Sequence, residues 1–221
     1  MNNRRKPERR TRLSRIQEKN RTRIIDAALG EFSRYGYSGA TIDKISAAAG
    51  MSKSNLLYYF SSKGDVYEAV LEHILDVWLA PLRTLDPDGE PAKELCAYIK
   101  QKMKISAERS EASRLFANEV MQGAPQIRDV LEDDLKTLVA DKSKVIERWI
   151  DDGKITRINP VHLIFTIWAT TQHYADFDSQ IRALTGTGLE DEAFFREATD
   201  TVCSLILRGI GLEMPRDESD E

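Results

Sequence analysis

The sequence predicts an all-α protein. An N-terminal three-helix unit containing a helix-turn-helix is followed by a larger all-helical body. Three observations carry this expectation. No segment alternates apolar and polar residues, and Val, Ile and Thr do not cluster as strands require. Turn signals at Pro81, 86–91, 123–125, Gly153, Asn159-Pro160 and 186–188 cut the chain into pieces of helix length. Charge is also uneven. Residues 1–68 hold 14 Lys+Arg against 7 Asp+Glu, whereas the whole 221-residue chain holds 32 against 36, a net −4. A basic head on an acidic body points to a polyanionic partner for the head alone.

Residues 1–16 form a basic arm with almost no apolar side chains before Ile16, which predicts disorder. Such an arm either tracks nucleic acid or simply solubilises the chain. From about residue 17, Ile24, Ala28, Phe32 and Tyr35 recur at helical spacing, and Gly36 ends the helix. Thr41 opens a second helix with Ile42, Ile45, Ala48 and Ala49 facing inward and Asp43 in the first turn. Gly50 stops it. Ser52 caps a third, short helix whose Leu56, Leu57 and Phe60 face inward. Ser62 caps a fourth, with Asp65 at the capping-box position. The expected domains are the arm at 1–16, the DNA-binding unit at 17–75, the body at 76–212 and an acidic tail at 213–221.

Two short helices joined at Gly50-Met51-Ser52 fit a helix-turn-helix, whose second helix enters the DNA major groove. Lys53, Ser54, Asn55, Tyr58 and Tyr59 remain on the outer side, where they reach base edges or phosphates. Thr41 and Lys63 sit at helix N-termini, where backbone N–H groups favour a phosphate. The segment from Thr41 to Lys63, with Ile25-Asp26-Ala27-Ala28, Phe32 and Gly36-Tyr37 before it, resembles the DNA-binding motif of TetR-family repressors. The likeness covers about residues 17–75. It implies a homodimer on near-palindromic double-stranded operator DNA, an effector-binding body, and phosphate contacts from Thr41, Tyr59 (or Tyr58) and Lys63.

The body resembles the pyrimidine-responsive members of that family. The likeness is carried by residues 75–82, Ala112-Ser113-Arg114-Leu115-Phe116, 123–125, and above all 160–177. It implies uracil or thymine as effector, release of DNA on binding, and control of pyrimidine catabolism and nitrogen metabolism genes. A different small planar or apolar effector is the alternative. The residues can also be read without that likeness. Ile164, Trp168, Thr171, Gln172 and Ala175 share a face after Pro160. A ring, a hydroxyl and an amide on an apolar face suit a planar polar ligand, because a Gln amide both donates to and accepts from an imide edge. Trp78 or Trp168 stacks on the ligand, Phe116 adds an apolar surface, and Tyr174 closes a wall. A Trp on such a face equally serves as plain core, and the Gln equally pairs across a dimer interface. Phe194, Phe195, Ala198, Val202, Leu205 and Ile206 give the last helix an apolar side for dimerisation or for the core.

Other classes find little support. No nucleophile, base and orienting group assemble, which argues against an enzyme. His173 and Asp176 lie one turn apart, but two ligands make no metal site, and no cofactor is expected. Cys96 and Cys203 suit a reducing cytoplasm as buried hydrophobes. No apolar run approaches the ~18–20 residues of a membrane helix.

Overall fold

The computed structural model describes residues 15–215. The expected arm therefore lies outside the described residues apart from Arg15 and Ile16, and the tail apart from its first three positions. Among the described residues the regular elements are helices: α1 (Arg15–Gly39), α2 (Ile42–Ala48), α3 (Lys53–Tyr59), α4 (Lys63–Arg83), α5 (Pro91–Glu108), α6 (Ser110–Met121), α7 (Arg128–Val130), a π-helical turn (Leu131–Leu135), α8 (Lys136–Asp151), α9 (Pro160–Asp176), α10 (Asp178–Thr185) and α11 (Glu192–Gly209). The chain divides into two compact units between Tyr67 and Glu68, within α4.

In the first unit, Ile24, Ile25, Ala28 and Phe32 of α1 are buried, as are Ile45 and Ala49 of the second helical segment and Leu56 and Phe60 of the third. Tyr35, expected inside, stays half exposed beneath the Lys44 ammonium, 4.3 Å from its ring centre. Ala48 and Leu57, expected inside, are exposed. Seven-residue helices have one buried stripe, and Ile45 with Ala49, and Leu56 with Phe60, already fill it at i, i+4 spacing. Gly36 departs from helical geometry at φ 65°, ψ 176°, a region that only glycine enters cheaply. Gly50, at φ 61°, lets the chain reverse between α2 and α3, and the Arg23 guanidinium donates to its carbonyl at 2.8 Å.

The caps follow the sequence closely. Thr41 Oγ1 accepts from Lys44 N–H at 3.3 Å, and Ser52 Oγ accepts from Asn55 N–H at 3.2 Å. Ser62 Oγ accepts from Asp65 N–H at 3.1 Å while donating to its carboxylate at 2.8 Å. Ser52→Ala removes the cap of α3 and is expected to cost about 1 kcal/mol. Thermal unfolding of the full chain reads this as a small loss confined to the first unit's transition.

The second unit is a helical bundle. Its core joins Leu95, Tyr98, Ile99 and Met103 of α5 with Ile146 and Trp149 of α8, Leu163, Ile164 and Ile167 of α9, and Val202, Cys203 and Leu207 of α11. Polar ties fix the register. Ser106 Oγ donates to Thr171 O at 2.9 Å, and Trp149 Nε1 donates to Pro87 O at 3.2 Å. Pro81 does not break the chain as expected, for α4 runs through it to Arg83. Asn159 and Pro160 start α9 as read, with Asn159 Oδ1 accepting from Val161 N–H at 3.0 Å.

Candidate DNA-contact surface and ligand cavity

Lys53, Ser54, Asn55 and Tyr58 are exposed along α3, and Tyr59 is half-buried. The two tyrosine rings meet edge to face at 5.2 Å. Each hydroxyl is held from α1. Asn20 Nδ2 donates to the Tyr59 oxygen at 2.9 Å, and Gln17 Nε2 donates to the Tyr58 oxygen at 3.2 Å. A phenol that accepts through its oxygen keeps its own proton to donate, which suits a phosphate oxygen. Lys53 pairs with Asp43 at 3.1 Å, and both side chains are more than half exposed, so the pair is worth little and yields easily to a phosphate. Lys63 Nζ donates to Tyr37 O at 2.8 Å and Ala40 O at 3.1 Å, above the Tyr37 ring. An ammonium has three N–H groups, so one is left over. Lys63 thus braces the α1–α2 junction as well as carrying charge. Asn20 and Gln17, which orient the two tyrosines, were not legible as partners because a sequence separation of about 40 leaves no local signal.

The body contains a cavity of about 390 Å³, near the lower end of the range for small-molecule sites. α4 contributes Leu75, Trp78 and Leu79; α5 contributes Lys102; α6 contributes Phe116, Ala117, Val120 and Met121. The π-helical turn adds Leu131 and Leu135, and α9 adds Trp168, Gln172 and Asp176. Four expected ligand residues, Trp78, Phe116, Trp168 and Gln172, therefore meet in one place. Thr171 and Tyr174 do not join them. The Thr171 side chain is fully buried, and its hydroxyl donates to Ile167 O at 2.7 Å. Tyr174 packs beside Phe194, 6.3 Å between ring centres, on the core side of α9. The single face expected for α9 is two stripes. Ile164, Ile167, Thr171 and Ala175 point into the core, while Trp168, Gln172 and Asp176, spaced four apart, line the cavity.

Polar groups in this apolar cavity are few and specific. Trp168 Nε1 donates to Tyr98 Oη at 2.6 Å, which fixes the indole, and burial drives the Tyr98 phenol well above its ordinary pKa. The Gln172 amide has no hydrogen bond to another described residue, and neither does the buried Trp78 Nε1. Ser113 donates to the Asp176 carboxylate, whose pKa is nonetheless raised because burial outweighs that bond.

Lys102 was not anticipated. It is 2% exposed and its ammonium lies 3.7 Å from the centre of the Trp78 ring. Burial lowers its pKa from 10.5 to about 7, opposed by the charge of Asp176. The signal was present: Leu95, Tyr98, Lys102 and Ser106 follow one inward stripe of α5. Between about pH 7 and 10.5 the unfolded chain binds more protons at this site than the folded one, so stability rises with pH there, and the burial cost is fully present below that window. Denaturant unfolding should show a gain from pH 7 to 10 in the native protein that Lys102→Met lacks. Parallel pH curves would contradict a buried, titrating amine.

Among the described residues no group of three or more His, Cys, Asp or Glu side chains is placed to hold a metal ion. Cys96 and Cys203 are buried cysteines whose sulfurs lie 3.6 Å apart. No helix among the described residues is long and apolar enough to cross a membrane.

Residues 24–70 match the family model of bacterial regulatory proteins of the tetR family, and residues 71–213 match that of the YcdC-like protein C-terminal region. The chain is 46% identical over 197 residues to the HTH-type transcriptional regulator RutR of Escherichia coli K12, covering 89% of this chain and 93% of that one. This chain belongs to the TetR family. It is a DNA-binding transcriptional regulator of the RutR type, a TetR-family repressor and not an enzyme. Solved structures of other regulators share its fold. The transcriptional regulator SCO4942 of Streptomyces coelicolor matches with a TM-score of 0.68 at 21% identity, covering 87% of this chain and 98% of that one. The fatty acid degradation regulator FadR of Bacillus halodurans matches at 0.64 and 17%, covering 88% and 97%. TetR regulators bind operator DNA, dimerise and bind small-molecule ligands.

Proposed function

We propose that this repressor senses a free pyrimidine base, uracil or thymine, and that binding in the body releases it from operators of pyrimidine catabolism and nitrogen metabolism genes. The observation that carries the reading is the meeting of Gln172 with two indoles, Trp78 and Trp168, in one small apolar cavity. An imide edge presents C=O, N–H and C=O, and a Gln amide with no hydrogen bond to another described residue satisfies two neighbouring members of that set. The indoles supply flat apolar surfaces for the ring. The 46% identity to RutR supports the same reading.

Thr41, Lys53, Ser54, Asn55, Tyr58, Tyr59 and Lys63 serve as the DNA contacts in this scheme. The homodimer forms through α9 and α11. Ala198, Val202 and Ile206 are buried within one chain, whereas Phe194 and Phe195 pack against its core and stay partly exposed. Phe165, Phe177 and Leu205 remain exposed at 49%, 53% and 69% and suit a second copy better. No cofactor takes part, and the protein works in the cytoplasm.

Calorimetric titration of uracil into the full chain tests the effector, with cytosine as control. Saturable heat near one uracil per chain, absent for cytosine, supports the reading. No heat from uracil or thymine overturns it and leaves the TetR-type DNA unit intact, with a different effector in the body.

A further inference from the structure

We propose that Lys102 is the specificity-determining donor of the cavity: its ammonium bonds a carbonyl oxygen of a neutral imide, and the protein takes up a proton as the ligand binds. The inference rests on the pyrimidine reading and adds a residue, a ligand polarity and a proton to it.

The geometry is unusual for a lysine. Its side chain is 2% exposed, lines the cavity, and makes no hydrogen bond or ion pair to another described residue. What its nitrogen meets is the Trp78 ring face at 3.7 Å. A cation–π contact offsets part of the cost of burying an ammonium but satisfies none of its N–H groups. The charged group facing it is Asp176 of α9, whose carboxylate already accepts from Ser113 and is influenced by Arg114 and His173. From α4 and α6 the cavity presents indole and phenyl rings, Trp78 and Phe116. The unfilled hydrogen-bond capacity of Lys102 therefore belongs to whatever occupies the space.

An ammonium donates and never accepts. Beside Lys102 a carbonyl oxygen gains a charge-assisted bond, whereas an exocyclic amine meets like polarity. An imide placed with one carbonyl on Lys102 leaves its N–H and second carbonyl for the Gln172 amide. Cytosine lacks that ring N–H and carries an amine in place of one carbonyl, so it cannot complete the arrangement. In the free protein, burial lowers the lysine's pKa to about 7. Bonding to a carbonyl favours the charged form. The additional proton comes from solvent, and the ligand keeps its own N–H.

Uracil is titrated into the full-length protein at pH 7.5 in two buffers of different ionisation enthalpy, for the native protein and for Lys102→Met. The expected native result is a binding heat that shifts with buffer, corresponding to uptake of a fraction of a proton per uracil. Lys102→Met should bind uracil about 10–100-fold more weakly, with a heat independent of buffer. It should melt no lower than the native protein, because a similar apolar volume replaces a buried charge. Buffer-independent heat in the native protein overturns the proposal without any variant. So does proton uptake that persists in Lys102→Met, or uracil affinity in that variant within two-fold of native. Absence of uracil binding to the native protein defeats the pyrimidine reading and this inference together. Tight binding without proton uptake defeats this inference alone.

Discussion

Gln172→Ala is expected to weaken uracil binding by about 10–100-fold, equivalent to about 1.4–2.7 kcal/mol, while DNA affinity without ligand stays near native. The amide lines the cavity and has no hydrogen bond to another described residue, so truncation leaves no protein group newly orphaned. The whole loss should then appear in the ligand. The N–H and second carbonyl of its imide edge go into an apolar cavity without a partner, which costs the desolvation of those groups. Calorimetry reads the affinity, and operator release by uracil should require correspondingly higher concentrations. A variant that responds to uracil like the native protein removes Gln172 from the ligand's contacts and places the imide edge elsewhere in the cavity.

On the DNA side the largest effect is expected at Tyr59. Tyr59→Ala should lower operator affinity by about 10–100-fold with uracil binding unchanged. The ring is half-buried and its oxygen is held by Asn20 of α1, so the phenol is pre-aimed and its proton remains available. Tyr59→Phe keeps the ring and removes the donor, and should account for part of the loss. Fluorescence anisotropy across a salt series separates this from loss of charge. Removing a neutral donor weakens binding with little change in salt slope, whereas losing a lysine on a phosphate reduces that slope by about one. Native affinity in both tyrosine variants would exclude the contact. Lys63 is a poorer first choice, since its ammonium also ties Tyr37 O and Ala40 O and its removal disturbs the α1–α2 junction.

What the sequence made legible follows from the range of the signals. Thr41, Ser52 and Ser62 cap the helices they were expected to cap, because a cap is set by neighbours three residues away. The glycine-dependent turns at 36 and 50 were legible for the same local reason. Pro81 misled because a proline removes only one N–H bond, and the last turn of α4 tolerates it beside a buried Leu82. In the body, Trp168 and Gln172 were readable as a pair at i, i+4, but Thr171 sat close enough on the helical wheel to be drawn into the same face. Its hydroxyl instead bonds its own helix backbone, an option that spacing does not reveal. Lys102 was overlooked because a lysine is ordinarily a surface residue. Its inward position depends on Trp78, 24 residues earlier in the chain, whose ring it covers.

The most direct test is whether uracil releases DNA. Duplexes selected by the full-length protein from a random pool would be labelled and followed by anisotropy as uracil is added. The selected sites should be near-palindromic, with half-sites about one helical turn, ~34–36 Å, apart. Uracil should dissociate the complex with half-effect close to its calorimetric Kd, and cytosine should not, because only a ligand with different affinity for the two states shifts them. Selected DNA that stays bound at saturating uracil and thymine would contradict a pyrimidine-released repressor.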